Sequence, residues 1–177
     1  MIAEGDEKLM ETYLDKGELS PEEILAGLKA GIAARQIFPV FAAAGGANIG
    51  VQPFCDRVAG LFPSPLDRPE IEVTINGRPG TLKPSPDEPF AALVFKTISD
   101  PYTGRISMMR VFSGKMPSDG AAVNPGKETD EKFSGFFFLQ GKEQAPAGAA
   151  VAGDILATAK LKATMTGDTL AAKGSGL

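Results

Sequence analysis

The chain changes its residue pattern once, close to residue 65, and this change constrains the fold more than any other feature. Before it, apolar residues recur at helical spacing; after it, short apolar stretches alternate with turns rich in glycine and proline. The sequence at the change, PSPLDRP (63–69), is stiffened by three prolines and is typical of a linker. We therefore predict two domains, residues 1–66 and residues 67–177, in a chain of the α+β class that is mainly β.

The first domain begins with two predicted helices. Apolar positions over residues 6–16 follow one helical stripe. Ser20 and Glu23 have the spacing of a capping box, in which each side chain bonds the backbone N–H of the other residue. This pattern predicts that a second helix begins there, and Gly31 is its predicted end.

A βα unit is predicted to follow. The run IFPVFA (37–42) is continuously apolar, which predicts a buried parallel strand, and residues 50–62 carry one apolar helical face. Cys55 lies on that face, so we expect a buried core thiol rather than a nucleophile. A strand, a glycine-bearing loop and a helix in this order are typical of the edge of a nucleotide-binding α/β domain.

The second domain is predicted to be a closed β-barrel, because short strands recur every ~8 to 12 residues with turn residues between them. An immunoglobulin-like sandwich is disfavoured because its Cys and Trp marks are missing. Asn76–Gly77 predicts a type I′ hairpin turn. The predicted strands cover residues 70–75, 90–98, 105–112, 121–124, 133–140, 155–161 and 169–171.

Two compositional features exclude whole classes of function. The chain has no histidine and a single cysteine, which excludes Ser-His-Asp, Cys-His and His-ligated metal chemistry and any disulfide within the chain. A net charge of −4 argues against DNA or RNA binding by bulk electrostatics. The acidic N-terminus lacks the layout of a signal peptide, and no apolar run reaches the ~18 residues of a membrane span, so we expect a cytoplasmic location and no membrane partner.

No residue pattern in the chain predicts catalysis. The pair Glu22–Glu23 begins a helix and the pair Asp130–Glu131 is placed in a polar loop, so neither predicts an acid–base couple. The phosphate-binding string GxxxxGK[ST] does not occur, and the glycine-rich stretch AGGANIG (44–50) lacks its lysine and hydroxyl. We therefore expect no nucleotide hydrolysis by this chain. The aromatic run FFF (136–138) predicts a packed strand rather than a base-stacking platform.

Five strings, in order and in spacing, resemble the second domain of elongation factor G. They are PFAALVFK (89–96), DPYTGR (100–105), RVFSG (110–114), AGDI (152–155) and TGDTL (166–170). Upstream, PVF (39–41), GVQ (50–52) and LFPSPLD (61–67) resemble the last strand and helix of that family's GTPase domain.

This resemblance implies a fragment: the end of a GTPase domain with part of its inserted subdomain, followed by the translation-factor β-barrel. The parent would be a GTPase that uses GTP and Mg²⁺, whereas this chain lacks the P-loop, the DxxG switch and the NKxD motif. By resemblance the barrel leans on the GTPase domain and touches small-subunit ribosomal RNA. The guanine-contacting pair of the family falls at Ala44–Gly45, where the family's serine is missing. The family's basic segment after the barrel's middle strand is also altered here, over residues 131–145, which favours a paralogue over the main translocase.

Three residues are predicted to contact RNA or another partner: Tyr102 and Arg105, in the turn between two predicted strands, and Lys115. Two other functions stay open at this point. One is a non-enzymatic adaptor whose barrel binds a protein or an RNA. The other is a ribosome-protection or recycling factor built on the same domains.

Overall fold

The computed structural model describes residues 2–101 and 104–177, which divide into two compact units, the first ending at Ser64 and the second running from Pro65 to Leu177. The division falls within the predicted linker. None of the helices in the described residues combines the length and hydrophobicity needed to cross a bilayer.

The described residues of the first unit form three α-helices: α1 (Glu7–Lys16), α2 (Pro21–Ala33) and α3 (Val51–Leu61). The capping box that begins α2 is confirmed, with Ser20 N–H donating to Glu23 Oε2 over 2.8 Å and Glu23 N–H donating to Ser20 Oγ over 3.2 Å. Gly31 does not end this helix. It is buried inside the last turn against Ile37, whose side chain occupies the space that a Cβ at Gly31 would need.

The predicted strand over residues 37–42 is wrong. This segment joins no sheet, and Phe38 and Val40 are 75% and 94% exposed. A strand is held by ladder hydrogen bonds to a neighbour, and the described part of the first unit contains no strand that could pair with it. The βα unit is therefore represented only by its helix, α3.

The prediction that Cys55 is a buried core thiol is also wrong: its side chain is exposed. The apolar face of α3 does exist, but within the first unit it is covered only in part. Phe54 packs edge-on against Phe41 at 5.3 Å between ring centroids, whereas Leu61 is the one buried residue of the helix.

The second unit opens with a hairpin and continues into a large antiparallel sheet. Asn76 and Gly77 both have positive φ, 50° and 73°, as the predicted type I′ turn requires. The sheet has eight strands in the order β7-β6-β12-β3-β4-β11-β8-β9, and β5 pairs with β10 separately. The strands are β1 (Ile71–Ile75), β2 (Arg78–Leu82), β3 (Ala91–Asp100), β4 (Gly104–Ser113), β5 (Lys115–Pro117), β6 (Ala121–Asn124), β7 (Thr129–Lys132), β8 (Phe136–Gln140), β9 (Glu143–Ala147), β10 (Ala149–Val151), β11 (Ile155–Ala159) and β12 (Thr169–Ala171).

The sheet and the β5–β10 pair curl around one core, which makes the unit barrel-like. Strands from both parts contribute to it: Val94, Met109 and Leu170 come from the large sheet, and Met116 and Ala150 come from the separate pair. The barrel class predicted from strand spacing is therefore confirmed, as is the α+β, mainly β composition. Five strands lie outside the predicted ranges: β2, which the Asn76–Gly77 turn only implied, and β5, β7, β9 and β10.

Candidate functional site

Arg105 lies at the start of β4 and points its guanidinium group across the barrel end to a loop of residues 160–168. Its Nη2 donates to the carbonyl oxygens of Leu161 at 2.7 Å and Lys162 at 3.1 Å, and its Nη1 lies 3.2 Å from Met165 Sδ. Arg105 therefore braces this loop, which we call the clamped loop.

Glu131 holds the same loop from the inside of the barrel. Its side chain is 1% exposed and accepts four hydrogen bonds, from the backbone N–H groups of Lys162, Ala163 and Thr164 and from Thr164 Oγ1, at 2.7 to 2.9 Å. Burial raises the pKa of this carboxyl, but the four donors together outweigh burial and leave the pKa below its ordinary value of 4.5. The carboxylate therefore stays charged and fixes three consecutive backbone groups.

A second carboxylate, Asp168, closes the far end of the clamped loop. Its Oδ2 accepts from Lys127 Nζ at 2.6 Å, from Met165 N–H at 2.8 Å and from Asn124 Nδ2 at 3.0 Å. Lys127 contributes most to lowering the pKa of Asp168. Lys127 Nζ also donates to Ala163 O at 2.8 Å, so the ammonium group links the middle of the loop to its C-terminal end.

The clamped loop carries two lysines whose side chains are exposed on the outside of the barrel. Lys160 and Lys162 are exposed, and among the described residues neither ammonium group has an acceptor. Lys160 adopts φ 63°, a left-handed conformation that is uncommon for a residue other than glycine, and its N–H donates to Arg105 O at 3.1 Å. Two cations two residues apart are thus held on a rigid support, which suits contact with a polyanion.

The remaining residues predicted for the site do not join this cluster. Tyr102 lies outside the described residues. Lys115 is exposed in β5, beyond the far end of the ten-residue β4, so roughly 30 Å of strand separates it from Arg105. Ala44 and Gly45 belong to the first unit, where the backbone of Ala44 forms a bridge with Ile49. No group of three or more Asp, Glu or Cys side chains in the described residues is arranged to hold a metal ion.

Glu131 is the residue of this site that the sequence did not indicate. Its neighbour Asp130 is exposed and pairs with Lys173, as expected for a polar loop, but Glu131 lies in β7 directly opposite the core residue Ala122. Glu131 is buried because side chains alternate between the two faces of β7. This strand has only four residues, all charged or polar, so its sequence shows no apolar alternation from which a strand could be predicted.

Comparisons with known proteins agree with this architecture. Residues 89–173 match the family model for elongation factor G domain 2. A crystal structure of a protein from Thermus thermophilus is similar over 96% of this chain, with a TM-score of 0.77 and 25% sequence identity. The chain spans 23% of the length of that protein.

The barrel and these matches define the second unit as a β-barrel domain of a translation factor. More closely, residues 89–173 of this unit form a domain 2 of the elongation factor G family.

Proposed function

We propose that this chain is part of an elongation factor G-like translational GTPase and that its barrel contacts small-subunit ribosomal RNA during translation. The observation that carries the proposal is the match of residues 89–173 to elongation factor G domain 2. A barrel of this kind is a non-catalytic domain, so the chemistry belongs to the GTPase domain of the parent, which takes GTP and Mg²⁺. The setting proposed for this work is the cytoplasm.

The first unit is proposed to be the end of that GTPase domain. Support comes from the Thermus thermophilus structure, which is similar over nearly the whole chain and not over the barrel alone. In this proposal Ala44–Gly45 lies at the guanine loop of that domain. The barrel then packs on the GTPase domain of the parent.

The RNA contact is proposed to be made by Lys160 and Lys162, with Arg105 as a positioning residue. The guanidinium group of Arg105 holds the loop through two carbonyl oxygens, so its own charge is directed inward. The lysine side chains are exposed and can neutralise phosphates, each of which contributes to affinity and to its dependence on salt.

The test is sedimentation of the 177-residue chain with small ribosomal subunits over a series of salt concentrations. We expect the wild-type chain to bind, and we expect Lys160→Ala/Lys162→Ala to weaken binding and to reduce the salt slope by about two, one unit for each lysine. Lys142→Ala, an exposed lysine in the β8–β9 turn, is the matched control and should bind as the wild type does. A wild-type chain that fails to bind at the lowest salt contradicts the proposed function; a double variant that binds normally contradicts the role given to the clamped loop.

A further inference from the structure

The outer face of the sheet carries a pairing of arginine with aromatic residues, and at β3 it adjoins the clamped loop, where Gly167 N–H donates to Val94 O at 2.7 Å. Register places Leu93, Arg110 and Ile155 in one row across β3, β4 and β11. Residues directly opposite each other in an antiparallel sheet share a face. Ile155 is half exposed, which identifies this as the solvent face of the three strands.

Two guanidinium groups contact the ring of Phe112 on this face. Phe112 is the extra residue of a β-bulge, because its neighbours Val111 and Ser113 pair with consecutive residues of β3. The guanidinium carbon of Arg110 lies 6.0 Å from the Phe112 ring centroid and that of Arg68 lies 5.8 Å from it. The two cationic groups are therefore at most about 12 Å apart, the sum of these distances.

Arg68 reaches this position because the chain before it is packed against the barrel. Gly153, in the turn that precedes β11, has φ 100°, and a Cβ built there would lie 2.9 Å from Pro65 Cβ. The backbone N–H of Arg68 donates to Pro65 O, which keeps the arginine within one turn of this contact. The placement of Arg68 is thus a product of close packing and not of a long flexible segment.

Neither guanidinium group has a partner charge. Among the described residues no carboxylate forms an ion pair with Arg68 or Arg110, and Arg110 Nε is shielded from solvent with no acceptor. Arg68 is exposed and Arg110 is half-buried, so a ligand can meet both positive charges without first separating an existing ion pair. Residues 65–177 carry equal numbers of acidic and basic side chains, so this local excess of positive charge is not a property of the whole unit.

A third cation and a second exposed ring continue the pattern. Phe95 is also the extra residue of a bulge, between Val94 and Lys96, and it is 42% exposed. Lys96 lies opposite Met108, two residues from Arg110 on the same face, and is exposed without a partner among the described residues. Cations and aromatic rings therefore alternate over this face, in the order Lys96, Phe95, Arg110, Phe112 and Arg68.

We propose that this face binds a single-stranded segment of RNA, with phosphates on Arg68, Arg110 and Lys96 and a base stacked on Phe95. The planar guanidinium fork suits the oxygen atoms of a phosphate, and an exposed ring between cations offers the stacking surface that an unpaired base uses. An acidic protein segment would satisfy the arginines but would leave the exposed ring of Phe95 without a specific role. The inference rests on the proposed function, because it places a second RNA contact on the same barrel.

Binding of a fluorescein-labelled U12 RNA to the 177-residue chain, followed by anisotropy at low salt, tests this assignment. Arg68→Ala and Lys96→Ala should each weaken binding about five- to tenfold and reduce the salt slope by about one. Phe95→Ala should weaken binding by a similar factor and leave the salt slope unchanged, because stacking releases no counterions. Arg78→Ala, an exposed arginine in the separate β1–β2 hairpin, is the matched control and should bind as the wild type does.

Arg110 needs a conservative change, because its Nε is shielded. Arg110→Lys keeps the charge but loses the fork, and we expect it to bind U12 RNA more weakly than the wild type with an unchanged salt slope. A labelled hexaglutamate peptide is the competing probe. If the peptide binds and the RNA does not, or if the RNA affinity is the same in all four variants, the assignment is overturned. The proposed function is tested separately, by sedimentation of Lys160→Ala/Lys162→Ala with small ribosomal subunits. If that double variant loses binding to the subunits while U12 affinity is unchanged in the variants of this face, the proposed function stands and the second RNA contact is overturned.

Discussion

Glu131 shows how one buried charge can organise a surface. An ionised carboxylate inside a protein is costly unless its oxygen atoms are satisfied, and here four donors satisfy it. Three of these donors are consecutive backbone N–H groups, which would otherwise need partners of their own. The carboxylate and the clamped loop therefore depend on each other, and the positions of Lys160 and Lys162 follow from an interaction that neither lysine side chain makes.

We expect Glu131→Gln to lower the free energy of unfolding by about 2 to 4 kcal/mol at neutral pH. The amide keeps one acceptor but brings an N–H₂ group against N–H donors, and hydrogen bonds to a charged group contribute about 1.5 to 3 kcal/mol each. The measurement is urea unfolding followed by circular dichroism. Asp130→Asn is the matched control, because its ion pair with Lys173 is exposed and should contribute less than about 1 kcal/mol. Equal effects of the two variants would show that Glu131 does not hold the loop.

The pKa of Glu131 also gives stability a pH dependence of definite sign. A carboxyl whose pKa is lower in the folded state binds its proton more readily when unfolded, so it stabilises the fold above its ordinary value of 4.5. This contribution decreases as the pH falls below that value, and Asp168 acts in the same direction. We expect unfolding midpoints that fall steeply below about pH 4.5 in the wild-type chain and less steeply in Glu131→Gln; parallel pH profiles would contradict this.

At the scale of elements, Gly114 is the residue on which the junction between β4 and β5 depends. It has φ 74°, and a Cβ there would overlap the backbone of Phe90 and the carbonyl oxygen of Glu88. Gly104, at the other end of β4, has φ 78° but open space around its Cα. The two glycines therefore share the same backbone strain and differ in packing alone.

This difference predicts unequal effects of the same substitution. Gly104→Ala should destabilise the barrel by about 1 to 2 kcal/mol, the cost of a left-handed residue with a side chain. Gly114→Ala should cost at least about 3 kcal/mol, because the β3–β4 pair must also separate from the segment before it. Thermal unfolding of both variants measures the difference, and similar midpoints would mean that the Phe90 backbone can move aside.

The elements that the sequence could predict are those encoded by neighbouring residues. The Ser20–Glu23 cap and the Asn76–Gly77 turn are each encoded within a few consecutive residues, and both form as expected. Residues 37–42 were interpreted wrongly because an apolar run shows that a segment prefers burial but not that a partner strand is present. β9 was missed because its exposed face and Pro146 are typical of a loop, although an edge strand tolerates both.

The candidate site was predicted only in part for a related reason. Arg105 could be placed at a strand end, but its carbonyl partners lie 56 and 57 residues further along the chain. Glu131 bonds to residues 31 to 33 positions away. Spacing within a strand carries no information about such contacts, which exist only once the strands have been arranged around the core.

At the scale of the whole molecule, the two units differ in how much core each contains. Ile32 and Leu61 are the buried large hydrophobic residues among the described part of the first unit, whereas the second unit has a cluster drawn from eight strands. The net charge of −4 also lies in residues 1–64, since the acidic and basic residues of the second unit balance. The hydrophobic core therefore lies mainly in the second unit, whereas the net negative charge lies in the first.

A shortened chain of residues 65–177 should keep a cooperative thermal transition with a midpoint near that of the whole chain, because its core is complete. Residues 1–64 alone should show little cooperativity, since few side chains are buried in that unit. Differential scanning calorimetry of both pieces distinguishes these outcomes. A non-cooperative transition in residues 65–177 would show that the core requires the first unit.

The position of β12 in the sheet sets the order in which the barrel can be completed during synthesis. This three-residue strand lies between β3 and β6, so it joins the β6–β7 hairpin to the rest of the sheet, yet it comes after all the other strands of this sheet along the described chain. Its pairing with β3 links residues more than 70 positions apart, the kind of contact that slows folding. A nascent chain that has reached β11 still has two partial sheets with open edges. Completion of the barrel must wait until residue 171 has left the ribosome.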